Sequence, residues 1–266
     1  VHDLSFMRYP ECSSPPLLEY LMRSVPRSVA RADLVLADSE STRRDVIELL
    51  GVPEDRVRTL YAGVEERFSR PVAQEAVAAA RARYGIARPY ILGLGTLQPR
   101  KNFPTLIRAY HLLREAHGVD HCLVIGGGRG WLDDAIYATI AELHLEDDVA
   151  LPGFVDDADL PALYSGADVF AFPSLYEGFG IPILEAMACG TPVVSADASS
   201  LPEVAGDAAL LVSPHDTEAL ADALWRLLDD GDLRTTLVAR GRRQVERFGW
   251  PSAARALREA YTSLAG

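Results

Sequence analysis

The chain has 266 residues, of which 48% are hydrophobic and 24% are charged, and its formal net charge at pH 7 is −12. A nucleic-acid-binding protein of this size usually carries a basic face, so the acidic balance argues against nucleic acid as a partner. The composition is that of a globular protein with one large or two small domains, and the longest apolar runs are too short to span a bilayer.

The cysteine content is low and odd, with Cys12, Cys122 and Cys189 far apart in the sequence. This spacing does not suit a metal site and is typical of a reducing compartment, so we expect a cytoplasmic protein. An acidic chain can still carry a local basic patch, which leaves open a peripheral contact with the inner face of a membrane.

The first sixty residues contain apolar residues at helix and strand spacing. Residues 1–6 resemble the end of a buried strand entering a loop, without a signal-peptide pattern, so we expect a further N-terminal region to precede them. The elements predicted next are a helix over 15–31 interrupted by Pro26, a strand at Asp33–Ala37, a helix capped by Ser39 that runs to Leu50 and stops at Gly51, and a strand at Arg56–Tyr61. From Ala62 to Pro71 the pattern breaks, which is typical of an interdomain linker.

Beyond this linker, short apolar runs alternate with helical patterns. The predicted strands are Tyr90–Leu94, His121–Ile125, Val149–Leu151, Asp168–Phe172, Pro192–Ser195 and Ala208–Val212. Predicted helices begin at Asn102, Trp131, Ala158 and Ser200. Further helices are expected in the segment that carries Glu185, in the stretch that ends at Phe248, and from Trp250 to Leu264. Such alternation predicts an α/β fold with a parallel, Rossmann-like sheet and helices on both faces. Ligands of these sheets collect at the carboxyl ends of the strands.

Two glutamates, Glu177 and Glu185, lie in one run of glycine, proline and apolar residues. An ionised carboxylate only accepts hydrogen bonds, and its two oxygens can take both hydroxyls of a vicinal diol. Gly178 and Gly180 allow a backbone to approach a ligand closely, and Pro182 suits the first turn of a helix whose free N–H groups attract phosphate. The pattern indicates a nucleotide-sugar site, although the helix dipole alone also favours a glutamate in a first turn.

A basic loop follows the strand Tyr90–Leu94 and ends at Asn102, the expected N-cap of the next helix. Two cations beside a helix N-terminus are unfavourable unless an anion bridges them. Arg100 can make a bidentate contact with phosphate, and Lys101 supplies a point charge. The loop therefore predicts a phosphate site, with two solvated surface cations as the alternative.

The run from Pro173 to Pro192 resembles the Glu-x7-Glu motif of the retaining GT-B glycosyltransferases of family 4, the glycosyl transferases group 1. The resemblance implies a GT-B fold, here with an incomplete N-terminal domain. Residues 1–65 would be the end of the N-terminal, acceptor-side domain and 66–72 a linker. Residues 73–248 would be the Rossmann-like donor domain, and 249–266 a helix crossing back to the N-terminal domain.

The same resemblance implies a role for individual side chains. In the family, the residue matching His2 faces the donor sugar and acceptor, the loop of Arg100 and Lys101 binds the donor diphosphate, Glu177 holds sugar hydroxyls and Glu185 the ribose diol. Many members carry Arg where this chain has Thr96, which shifts charge compensation to Arg100. The other expected donor-binding residues are Gly126, Gly127, Phe154, Val155, Gly178, Phe179 and Gly180. For Gly126 and Gly127, a tight strand–helix turn is an equal explanation, and for Phe154 it is core packing.

The reaction implied is transfer of a hexose, with mannose as first choice, from GDP-mannose or a UDP-hexose to a saccharide or lipid-linked acceptor, with retention of configuration. Such an enzyme would serve polysaccharide biosynthesis. Neither a metal nor a separate cofactor is expected, since fixed cations can take the charge of the leaving diphosphate. Oligomeric state stays open. The alternatives are an epimerase or phosphorylase of similar fold, and a nucleotide-sugar-binding scaffold without catalysis. Because so little of an acceptor domain is expected here, we expect these 266 residues to bind donor without turnover.

Overall fold

The computed structural model describes residues 1–265 and contains two parallel sheets. The smaller sheet pairs β1 (Val35–Ala37) with β2 (Val57–Thr59), in register from Val35 opposite Val57. Three helices surround it: α1 (Ser5–Arg8), α2 (Pro15–Ala30) and α3 (Glu40–Leu50). Val1 lies beside β1, where its amino group donates to the Leu36 carbonyl at 2.6 Å. A small apolar core of Leu4, Phe6, Val35, Val46 and their neighbours joins these elements.

The larger sheet has six parallel strands in the order β5-β4-β3-β6-β7-β8. Their bounds are β3 Tyr90–Leu94, β4 Cys122–Gly126, β5 Val149–Gly153, β6 Val169–Phe172, β7 Val193–Ala196 and β8 Ala209–Val212. The helices are α4 Gln74–Arg83, α5 Phe103–His117, α6 Asp134–Glu142, α7 Leu160–Gly166, α8 Ile181–Ala188, α9 Leu201–Ala205, α10 Thr217–Asp229, α11 Gly231–Val245 and α12 Trp250–Ala265. The expected α/β fold with a parallel sheet is confirmed.

Two apolar cores cover the two faces of this sheet. Alternate residues of β3 divide between them, with Tyr90 and Leu92 in one core and Ile91 in the other. Because both faces are buried, the central strands are continuously apolar. The strand order reverses between β3 and β6, and the loops that follow these two strands flank the crevice where ligands of open α/β sheets bind.

Several local expectations need correction. The expected interruption at Pro26 is wrong, because helix α2 runs unbroken through it. Proline has no N–H, so the Met22 carbonyl lacks its helical donor, but Met22 is half-exposed to solvent. Residues 1–6, expected to be the end of a strand entering a loop, have no strand among residues 1–4 and enter the short helix α1 at Ser5. Helix α4 follows the segment expected to be a linker and was not predicted. Helix α6 begins at Asp134, three residues after the predicted start at Trp131.

The segment expected to be a linker is packed. Phe68 lies in a 3-10 turn, is buried, and contacts the ring of Tyr164 edge-on with centroids 6.0 Å apart. Helix α12 begins against Gly63, where a Cβ would lie 2.5 Å from the Trp250 nitrogen. The division into residues 1–65, 66–72, 73–248 and 249–266 stays a prediction. Over residues 1–265, no helix combines the length and the hydropathy needed to cross a bilayer.

Candidate functional site

The site lies at the carboxyl ends of β3 and β6, where Glu177 contacts both cations of the basic loop. One carboxylate oxygen is 2.7 Å from Arg100 Nη1 and the other is 2.7 Å from Lys101 Nζ. Glu177 is only 8% exposed. Burial alone would raise the pKa of this carboxyl, but the charges of Lys101 and Arg100 outweigh burial and lower it. The anion that bridges the two cations is therefore a side chain of the protein itself.

Hydrogen bonds join the basic loop to the glutamate loop, which is the segment 173–180 between β6 and α8. The Leu175 amide donates to the Arg100 carbonyl at 2.9 Å, and Arg100 Nη1 donates to the Tyr176 carbonyl at 2.6 Å. The side-chain amide of Asn102 donates to the carbonyls of Pro173 and Pro214 at 3.1 and 2.7 Å. The two loops are thus joined by hydrogen bonds around Glu177.

Asn102 is the N-cap residue of α5, as predicted, but it does not cap the helix through its side chain. The residue precedes α5 in the left-handed region, with φ of 57°, and its side chain caps no backbone N–H of the helix. Its carboxamide oxygen instead accepts from the Thr105 hydroxyl at 2.7 Å. Asparagine tolerates this backbone conformation better than most residues. Because its side chain does not cap the helix, its amide nitrogen can join the two loops.

The sequence analysis missed two serines that support the glutamate loop. Ser199 Oγ accepts from the Glu177 amide at 2.8 Å, and the Ser200 hydroxyl donates to the carbonyls of Glu177 and Phe179 at 2.9 and 2.6 Å. Ser199 is itself in the left-handed region, with φ of 50°. The only sequence signal was a serine pair after β7, at the edge of the sheet where ligands bind.

Glu185 has different surroundings from Glu177. It lies on α8, is half-buried, and accepts a hydrogen bond from the Tyr164 hydroxyl at 2.8 Å. Burial raises its pKa, and the Tyr164 hydrogen bond and the charge of Arg67 only partly oppose this. With one hydrogen bond from Tyr164, the Glu185 carboxylate can still accept others, whereas both oxygens of Glu177 contact cations.

Two glycines of the site, Gly127 and Gly178, make room for protein backbone. A Cβ on Gly178 would overlap the His2 carbonyl, and one on Gly127 would overlap the Gly95 carbonyl. Gly180 has φ of 117° and forms the N-cap of α8, with Pro182 in the first turn as predicted. The space at Gly178 is thus filled by the N-terminal part of the chain.

The remaining predicted donor-binding residues are spread along the same edge of the sheet. Thr96 is exposed, and Phe154 has 72% of its surface exposed. Val155 is buried beside Gly126, the last residue of β4. The Phe179 side chain points into an aromatic cluster with Tyr61 and Phe248, which leaves only the Phe179 backbone for a ligand. The core-packing alternative for Phe154 is wrong, because its ring faces solvent.

His2 and Ser39 lie where the two sheets meet. The His2 side chain is 95% exposed, with Nδ1 2.8 Å from an Asp38 carboxylate oxygen. Ser39 is buried and accepts the Thr42 amide at 2.9 Å, which is the predicted N-cap of α3. The Thr42 hydroxyl donates to the Gly178 carbonyl at 3.2 Å, so the N-terminal part contacts the glutamate loop directly.

Comparisons with known proteins agree with this architecture. The family described as "Glycosyl transferases group 1" matches residues 79–244. The chain is 36% identical over 264 residues to the O-antigen chain mannosyltransferase B of Escherichia coli, covering 99% of this chain and 69% of that protein. It is 32% identical over 253 residues to the Escherichia coli serotype-specific mannosyltransferase WbdA, covering 94% of this chain but only 31% of that one.

Among solved structures, Anabaena Alr3699/HepE in complex with UDP and glucose superposes with a TM-score of 0.84 at 25% identity. The match covers 99% of this chain and 70% of that one. One assignment accounts for the reversal of strand order, for the glutamate loop at the carboxyl edge of the sheet and for the span of the family match. The chain belongs to the glycosyl transferases group 1 family and has the GT-B fold.

Proposed function

We propose that this chain binds a nucleoside diphosphate sugar and that the enzyme transfers the hexose, with mannose as first choice, to a hydroxyl of a saccharide or lipid-linked acceptor. The observation that carries the proposal is the buried contact of Glu177 with Arg100 and Lys101 at the switch point of the sheet. A lipid-linked acceptor would bring the enzyme to a membrane surface.

Arg100, Lys101 and Glu177, which we call the triad, suggest how the donor binds. The diphosphate oxygens compete with Glu177 for Arg100 and Lys101, because both partners are anions. As the cations turn toward the diphosphate, the Glu177 oxygens become available to accept hydrogen bonds from sugar hydroxyls. Glu185 has acceptor capacity left for the two ribose hydroxyls. This division uses each carboxylate for binding and neither as a base.

The chemical step follows from the same charges. When the bond between the sugar and the diphosphate breaks, negative charge grows on the leaving phosphate, and fixed cations stabilise it at that moment. Arg100 and Lys101 supply that charge from the protein itself, so the proposed step needs no metal ion. We propose retention of configuration by attack on the same face, with the leaving phosphate accepting the acceptor proton. We also propose that His2 faces the acceptor, because its side chain is exposed and its backbone lies beside Gly178 of the glutamate loop.

Two donors are compatible with the relatives. The Escherichia coli proteins are named mannosyltransferases, which favours GDP-mannose. The Anabaena structure contains UDP and glucose, which keeps a UDP-hexose open. Screening GDP, GDP-mannose, UDP and UDP-glucose by thermal shift separates the two.

We expect one of these nucleotide pairs to raise the melting temperature, and Glu185→Ala to remove most of that rise. A hydrogen bond to a charged group contributes about 1.5–3 kcal/mol, so loss of the ribose contacts weakens binding about tenfold or more. Glu142→Ala, which changes an exposed glutamate on α6, is the matched control. Absence of any nucleotide-dependent shift in the unmodified chain overturns the proposed function. An unchanged shift in Glu185→Ala removes the ribose role alone.

The exposed ring of Phe154 leads to a second expectation. It lies directly after β5, on the edge where the nucleobase would bind, and base–aromatic stacking contributes about 1–3 kcal/mol. We expect Phe154→Ala to weaken nucleotide binding roughly 5- to 150-fold in isothermal titration, equally for GDP and UDP if stacking alone is lost. Pyrophosphate binding should not change. Tyr261→Ala, at another exposed aromatic residue, is the control, and full affinity in Phe154→Ala would show that the ring makes no contact.

A further inference from the structure

The residues on both sides of Glu177 are held by the N-terminal part of the chain. On one side, the Tyr176 hydroxyl donates to the Asp45 carboxylate on α3. On the other side, the Gly178 carbonyl accepts from the Thr42 hydroxyl, also on α3, at 3.2 Å. The Glu177 carboxylate contacts Arg100 and Lys101 of the basic loop, and its backbone contacts Ser199 and Ser200. Helix α3 therefore holds the loop next to the functional carboxylate without touching the carboxylate.

The Asp45–Tyr176 contact is buried and has a second anchor. Asp45 and Tyr176 are both buried. The other Asp45 oxygen accepts from Arg8 Nε and Nη2 at 3.0 and 2.6 Å, and Arg8 also contacts exposed Glu48 at 2.7 Å. A buried carboxylate is retained at low cost only when it is paired and hydrogen-bonded. Here Arg8 supplies the ion pair from within the N-terminal part, and Tyr176 supplies a hydrogen bond from the glutamate loop.

Tyr176 links this network to the donor site through its backbone. Its carbonyl accepts from Arg100 Nη1, the same nitrogen that contacts Glu177. A shift of Tyr176 therefore displaces the peptide that carries Glu177. Arg100 is less affected, because under the proposed function its guanidinium turns away from both partners when it binds the diphosphate. Sites that recognise a ligand geometrically lose affinity when such a support is loosened by a fraction of an ångström.

We propose that Asp45, acting through Tyr176, is a positioning residue that sets the sugar-holding carboxylate Glu177 from the N-terminal part of the molecule. The proposal rests on the proposed function, because it assumes that Glu177 holds the donor sugar. It makes recognition of the sugar, but not of the nucleoside diphosphate, dependent on the contact between α3 and the glutamate loop.

The quantity measured is the difference in affinity between the nucleotide-sugar donor and the nucleoside diphosphate alone. Isothermal titration compares GDP with GDP-mannose and UDP with UDP-glucose. The Kd of the nucleoside diphosphate divided by the Kd of the nucleotide sugar isolates the contribution of the sugar. We expect Tyr176→Phe and Asp45→Asn to reduce that ratio roughly three- to tenfold while the affinity for GDP or UDP stays within twofold. The double variant should lose no more than the stronger single variant, since both break one contact.

Glu48→Gln is the matched control, because Glu48 shares Arg8 with Asp45 but does not contact Tyr176. Its ratio should equal that of the unmodified chain. A ratio that is unchanged in well-folded Tyr176→Phe overturns the positioning role and leaves the proposed function intact. So does an equal loss of diphosphate affinity, which indicates a general structural role. If the unmodified chain binds neither nucleotide pair, the proposed function and this inference both fail.

Discussion

Replacing Glu177 with alanine lowers the free energy of unfolding by about 3–5 kcal/mol, the cost of leaving buried charges without their partner. The Arg100 and Lys101 side chains are only 15% and 12% exposed, and Glu177 forms an ion pair with each of them. For a chain of this size, such a loss lowers the melting temperature by roughly 6–20 °C. Differential scanning calorimetry at pH 7 measures it directly.

The control for this substitution is Glu66→Ala. Glu66 also pairs with an arginine, Arg70, but both side chains are mostly exposed, and an exposed pair contributes about 0–1 kcal/mol. Equal losses in the two variants would contradict a buried triad.

The pH dependence gives an independent check on the triad. The folded state lowers the pKa of Glu177, so its contribution is complete above the ordinary pKa of a glutamate and is lost as the pH falls through the lowered value. At that point the unmodified chain also carries a neutral Glu177 beside two unpaired cations. The stability difference between Glu177→Ala and the unmodified chain should therefore shrink in acid. A difference that is constant down to the acid transition would rule out an ionised Glu177 in the folded chain.

The strands of the large sheet could be predicted because burial on both faces makes them short, continuous apolar runs. Segments without such a constraint were missed. Helix α4 is rich in alanine and arginine and has little separation of polar and apolar faces, so periodicity does not reveal it. The segment from Ala62 to Pro71 was singled out by its loss of pattern, but the burial of Phe68 within it depends on tertiary packing against Tyr164.

For the site, the sequence indicated which residues carry charge but not how they pair. Arg100, Lys101 and Glu177 were each singled out, yet 76 to 77 residues separate the cations from the carboxylate, and only the strand order places β3 beside β6. The cations were expected to need an anion, and the structure supplies one from the protein. The contact of Asp45 with Tyr176 spans 131 residues and had no local signal at all.

Arg100 is the residue whose loss should most weaken binding of the diphosphate. We expect Arg100→Ala to raise the dissociation constant of GDP or UDP about 100-fold, because roughly 2.7 kcal/mol of charge-assisted hydrogen bonding to phosphate disappears. Affinity for the matching nucleoside should not change. Arg100→Lys should recover part of the loss, since it restores the charge but not the bidentate geometry. Arg240→Ala, which removes an arginine paired with Asp207 on the surface, is the control in the same titrations.

This result would distinguish the two halves of the triad. Removing Glu177 takes away the anion that competes with the diphosphate, so nucleoside diphosphate binding should be kept or strengthened while the preference for the nucleotide sugar disappears. Removing Arg100 should do the reverse and weaken diphosphate and nucleotide sugar together. Added salt should weaken diphosphate binding in the unmodified chain more steeply than in Arg100→Ala, because one fewer charge is then screened. If Arg100→Ala binds GDP and UDP as tightly as the unmodified chain, the diphosphate does not lie on the basic loop, and the role given to the Arg100–Lys101–Glu177 contact is wrong.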